Sequence, residues 1–142
     1  MFFRKKKLPV ADVYDLEAPF ESLRDSIFAE ALKQNADGIQ VIPGSDGSLI
    51  FFRIDAEWQE VARLPGHVHR RIVRVFRSAA GLPPAKFSGF EIGLTSLQTA
   101  SAEYEAYACF MPTRSGIKIQ VRIFDAATAP VDLTPMELCQ LF

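Results

Sequence analysis

EYEAYACFMPTRSGIKIQVRIF, residues 103–124, reads as two β-strands and the turn that joins them. From Ile117 to Phe124 the chain alternates cleanly, with Ile117, Ile119, Val121 and Ile123 on one side and Lys118, Gln120 and Arg122 on the other. Successive side chains of a strand point to opposite faces, so this is the pattern of a sheet with one buried face. The stretch from Glu103 to Met111 starts with the same alternation, and Pro112-Thr113-Arg114-Ser115-Gly116 between the two supplies turn residues. The last third of the chain is therefore expected to be antiparallel sheet, with a weaker strand from Phe90 to Leu97 ahead of it.

Upstream, the pattern changes period. From Gly66 to Ala80, Val68, Ile72, Val75, Phe76 and Ala79 recur at helical spacing and form one apolar stripe. His67, Arg70, Arg71, Arg74 and Arg77 are expected on the opposite, solvated side, with Gly81 capping the helix and Pro83-Pro84 stopping it. His67 and His69 are both expected at the surface. Their spacing of two does not put them on one helix face, so they are not read as a metal pair.

Further back, Leu49 to Asp55 and the residues around Ile39 and Val41 read as a hairpin across Gly44 to Ser48, with Trp58 and Val61 on a third strand after a tight turn. Phe20, Leu23, Ile27 and Ala31 mark a helix from Pro19 to Asn35. Helices on one face of an antiparallel sheet make an α+β fold, two main helices in this case. The expected division is a flexible basic lead-in over residues 1–18 and a single domain over 19–142, with a last helix beginning near Asp132.

Composition narrows the function. Of 142 residues, 49% are hydrophobic, enough for a packed core rather than a disordered chain. The net charge of −1 speaks against a protein built mainly to grip nucleic acid. No run of about 20 apolar residues is present, so no membrane insertion is expected. Cys109 and Cys139 are too few for a disulfide framework, and a buried, reduced Cys109 in a cytoplasmic protein follows. The sequence lacks a Gly-x-x-x-x-Gly-Lys-Ser/Thr phosphate loop, a His-Glu-x-x-His and a Gly-x-Ser-x-Gly. No catalytic residue, metal or cofactor is expected. The positive feature is the arginine face of the second helix: Arg70, Arg71, Arg74 and Arg77 are the candidate partner-binding residues, since guanidinium groups suit carboxylates and phosphates.

Four segments, in order, resemble the domain that precedes the motor in type II secretion and type IV pilus assembly ATPases. The first runs from Ile27 to Pro43 and is similar to that family's helix followed by Ala-Ser-Asp-Ile-His-Ile-Glu-Pro. The second, Phe51-Phe52-Arg53-Ile54-Asp55-Ala56, resembles Arg-x-Arg-Ile-Asp-Gly. The third is Ala62-Arg63-Leu64-Pro65, a helix, and Ala80-Gly81-Leu82. The fourth is Pro112-Thr113-x-x-Gly116 and a strand ending Val121-Arg122-Ile123-Phe124-Asp125. The resemblance covers residues 20–142 and implies a PAS-like α+β fold. It also implies that Arg53 and Arg122 are what is left of arginines that approach a nucleotide held by the motor. Departures are plain: Gly38, Gln40 and Ile42 replace the family's Asp, His and Glu, Phe51 replaces its first arginine, Ile117 its glutamate, and Pro83 to Gly89 its Arg-Arg-x-Pro-Gln-Asp-Gly. The expected function is a non-catalytic protein-binding or scaffolding module whose partner is a component of a secretion or pilus machine. Two other readings stay open: a PAS-like domain sensing a small ligand among its 12 phenylalanines, and a piece of a longer secretion ATPase.

Overall fold

The computed structural model describes residues 20–45, 47–82, 89–99 and 101–126. The expected lead-in over 1–18, the Pro83-Pro84 stop, Cys139 and the helix near Asp132 lie outside them, as does the side chain of Phe20.

Helix α1 spans Phe20–Lys33, and Asn35 just beyond it takes φ 59°, the left-handed conformation that ends many helices. Strands β1 (Gly38–Pro43), β2 (Gly47–Ile54) and β3 (Glu57–Pro65) follow as a meander. A short 3-10 turn, Gly66–Val68, leads into α2, His69–Ala79. A second meander consists of β4 (Glu91–Gln98), β5 (Glu103–Thr113) and β6 (Gly116–Asp125). The six strands form one antiparallel sheet in the order β3-β2-β1-β6-β5-β4, so the first and last strands of the set, β1 and β6, join the two meanders at its centre. The fold is α+β, as the alternation implied.

Register puts the apolar residues on one face. Ile39 and Val41 of β1 lie opposite Phe52 and Ile50 of β2 on one side and opposite Val121 and Ile119 of β6 on the other. Phe110 of β5 lies opposite Ile119. All of these are buried, and they share a contiguous core with Leu23, Ile27 and Ala31 of α1 and Val68, Ile72, Val73 and Phe76 of α2. Val73 belongs to that core although the stripe read from the sequence omits it, while Val75 and Ile54 pack only at its margin. Phe28, Phe52, Phe76 and Phe110 are buried in the core, and Phe28 of α1 stacks on Phe76 of α2 with ring centroids 5.6 Å apart. Each such side chain contributes roughly 1.5–3 kcal/mol by leaving water.

The turn between β2 and β3 holds Asp55 at φ 53° and Ala56 at φ 66°. Two successive left-handed residues twist a hairpin correctly but favour glycine at the second place. Alanine there costs about 1–2 kcal/mol of steric strain.

Two substitutions test this description. Phe76→Ala should cost about 3–5 kcal/mol in urea unfolding, and a loss below about 1 kcal/mol would mean that α2 is not docked on the core. Ala56→Gly should raise stability by about 0.5–1 kcal/mol, the relieved strain less the added freedom of the unfolded chain; a destabilised variant would contradict the left-handed turn.

Candidate functional site

Of the four arginines on α2, the structure leaves three in solvent. Arg70, Arg71 and Arg74 are exposed, with exposed His67 just before them. Arg77 is not part of that surface: it is 2% exposed and forms an ion pair with Glu91 of β4. Its guanidinium also lies 5.8 Å from the centre of the Phe110 ring. Seven residues are nearly two helical turns, so Arg77 points much as Arg70 does. What differs is the neighbour. The C-terminal end of α2 comes down on β4, where a Cβ on Gly93 would stand 2.5 Å from Ala80. Helical angle alone cannot reveal what covers the end of a helix.

His69 also departs from the surface placement expected of it. It is buried where α2 starts, between the β2 hairpin and the β5–β6 turn. Its Nε2 lies 2.7 Å from the Ile117 carbonyl and its Nδ1 2.7 Å from Ser48 Oγ. A carbonyl only accepts, so Nε2 carries the proton and the Ser48 hydroxyl donates to Nδ1. Burial pushes the His69 pKa below the usual histidine range, and the bond to Ile117 opposes the shift. A cleft of about 370 Å³ opens beside this histidine, lined by Arg70, Val73, Ser115 and Gly116 among others. His69 thus fixes the start of α2, and with it the position of Arg70.

A second cationic site lies on the sheet face opposite the helices. Gly38 of β1 pairs with Arg53 of β2 on one side and with Arg122 of β6 on the other. The two arginines therefore project from the same face across a residue that has no side chain. The space is used: a Cβ on Gly38 would lie 2.9 Å from the Trp58 ring and 3.1 Å from the Arg53 Cβ. Asp37 holds the group together. Its carboxylate accepts from Arg53 Nη1 at 3.0 Å, its N–H donates to the Arg53 carbonyl, and its own carbonyl accepts from the Ile123 N–H. The Arg122 guanidinium lies 5.7 Å from the centre of the Phe124 ring. Burial first, and the charge of Arg53 second, press the Arg122 pKa down, with Asp37 pulling it back. Arg53, Arg122 and Asp37 thus form one polar group on this face, and guanidinium donors of this kind suit anionic groups.

The sequence singled out Arg53 and Arg122 but not that they are neighbours; strand order and register bring them together. Trp58, Asp37, Ser48 and Glu91 were not picked out as site residues. The signal that could have found Trp58 and Asp37 is their place at strand ends next to Arg53 and Gly38. Cys109 is buried. Among the described residues no cluster of three metal-ligating side chains occurs, and no helix is long and apolar enough to cross a membrane.

No family model and no curated protein matches the chain. Among solved structures, the ATPase DotB of Legionella pneumophila has a similar fold, with a TM-score of 0.55 and 16% sequence identity over 82% of this chain and 32% of DotB. The chain spans about a third of the length of that ATPase.

The buried histidine makes stability depend on pH. Because the folded pKa is lowered, the stabilisation is complete above the unfolded value of about 6.5 and is lost as pH falls through it towards the folded value. Urea midpoints of the wild type should drop between about pH 8 and pH 5, and His69→Gln should flatten part of that drop. An identical pH profile in both proteins would show that His69 titrates as it does in the unfolded chain.

Proposed function

We infer that this chain is a non-catalytic, cytoplasmic protein-binding domain related to the pre-motor domain of secretion and pilus assembly ATPases, and that it works through the arginines of α2. The observation that carries the reading is the exposed group Arg70, Arg71 and Arg74 on one rigid helix, in a chain whose net charge is −1. A concentrated patch on a nearly neutral protein steers an acidic partner and speeds association, most at low salt. Arginine adds a planar fork of donors that pairs with carboxylates.

The relation to secretion ATPases is supported from two sides. The segments of sequence that resemble the family lie at strand ends and turns of this fold: Asp37-Gly38 opens β1, Arg53 precedes the tight turn after β2, and Pro112 to Gly116 holds the β5–β6 turn. DotB, an ATPase, has a similar fold over part of its length. The charged positions that the family keeps are replaced here by Gly38, Gln40, Phe51 and Ile117, which favours contact over nucleotide chemistry. The partner this reading implies is an acidic surface on another component of a secretion or pilus assembly, a hexameric ATPase of that kind being the first to test.

Charge reversal at Arg70 and Arg74 should leave the fold intact, because exposed charges contribute only about 0–1 kcal/mol each to stability. Affinity capture from native lysate at low and moderate salt compares the double variant with the wild type, with circular dichroism as the check on folding. The wild type should retain partners that the variant loses, and the loss should be larger at low salt. Equal recovery at both salt levels would leave the arginines as a solvated surface. Calorimetry with magnesium ATP should give no binding in the low micromolar range or tighter; such binding would overturn the non-catalytic reading.

A further inference from the structure

Among the described residues, the two edges of the sheet are built differently. β3, at one edge, carries Glu57, Glu60 and Arg63, has a register shift opposite Ile50 and Phe51, and ends on Pro65. Charges, bulges and proline are the devices that keep an edge strand from pairing with another chain. β4, at the other edge, has none of them from Ile92 to Gln98. Its one charged residue, Glu91, is engaged by Arg77. Phe90 and Leu94 are 48% and 45% exposed, and Leu94 stands on the face opposite the helices, beside Tyr107.

On the helix side of the same edge, a groove of about 580 Å³ runs between α1 and β4, lined by the apolar Phe28, Leu32 and Leu97 and by the uncharged polar Thr95, Ser96 and Thr99, with Ala29, Ala79 and the Arg24–Asp25 pair at its sides. A strand added to β4 finds both of its faces provided for. Every second side chain enters the groove, and those between lie against Leu94. We propose that β4 and the α1–β4 groove form a docking site for an extended, uncharged segment of a partner protein, taken up as a seventh strand with apolar residues at alternate positions. Main-chain hydrogen bonds to the edge give such a site its affinity, and the groove gives it selectivity.

Charge selects the occupant. The edge from Ile92 to Gln98 is uncharged, and Arg24 and Asp25 at the groove pair with each other at 2.9 Å. A charged segment would give up water there with nothing to meet it. A second copy of this chain fits less well. The helix-side residues of its β4 are Glu91, Gly93, Thr95 and Leu97, one large apolar side chain for the whole groove. The site is separate from the arginines of α2, and its test does not depend on them.

Random nonapeptides displayed on phage and selected against the full 142-residue chain supply the probe; recovered peptides are then synthesised and titrated into the isotopically labelled chain. The expected peptides are uncharged and apolar at alternate positions, and on binding they shift the β4 amides together with Leu32 and Leu97. Ala29→Trp, which fills the groove from an exposed position, and Ala29→Arg, which places a charge there, should each weaken binding at least tenfold. Arg70→Glu with Arg74→Glu should leave it within twofold. Recovery of no peptide, or of peptides whose shifts map elsewhere, overturns the proposal. So does a tenfold rise in peptide affinity when residues 1–18 are removed, which would make the chain's own lead-in the occupant. A concentration-dependent dimer that protects β4 from hydrogen exchange would overturn it in favour of a second copy.

Discussion

The structure hangs on β1. This six-residue strand is hydrogen-bonded on both sides, to β2 within the first meander and to β6 of the second, and the β1–β6 pairing is what makes two three-stranded units into one sheet. Such a strand tolerates no slip. A shift of one residue would turn Ile39 and Val41 out of the core and bring Gly38 and Gln40 in. Side-chain parity thus fixes the register from both neighbours at once, since Phe52, Ile50, Val121 and Ile119 all face the same way as Ile39 and Val41.

The two cationic sites follow from this arrangement. With Ile39 committed to the core, Gly38 must face the other way, and the residues paired with it on either side are Arg53 and Arg122. A larger residue at position 38 would collide with Trp58, so the glycine is required by close approach rather than by backbone conformation. The helices cover the other face, and α2 is held at both ends by polar contacts to the sheet. His69 ties its start to Ser48 and Ile117, and Arg77 ties its end to Glu91. Between these anchors Arg70, Arg71 and Arg74 face solvent on a helix that cannot easily roll. Arginines on a fixed helix lose less freedom when they bind than arginines on a loop.

Much of this was legible in the sequence. The alternation of Ile117, Ile119, Val121 and Ile123, and the apolar stripe of Ile72 and Phe76, identify their elements because burial of one face leaves a period in the chain. What local pattern could not carry is anything set by strand order. Arg53 and Arg122 are 69 positions apart and become neighbours only through Gly38. Likewise Arg77 and His69 sit on a helix rich in arginine, where neighbouring charge suggests solvent; each is buried by a contact from a distant strand or turn, and the helical wheel has no record of those. Val73 entered the core for the same reason: it lies beside the β5–β6 turn, lining one cleft with Ser115, Gly116 and Ile117.

The proposed role of α2 requires a rigid, outward-facing helix. Hydrogen-exchange mass spectrometry of the domain alone and in complex with the partner it captures tests this most directly. Slowed exchange should appear in peptides covering residues 66–74, with β1 and β6 slow in both states because they lie at the centre of the sheet. Unchanged exchange over 66–74 in a complex that is demonstrably formed would contradict the central claim.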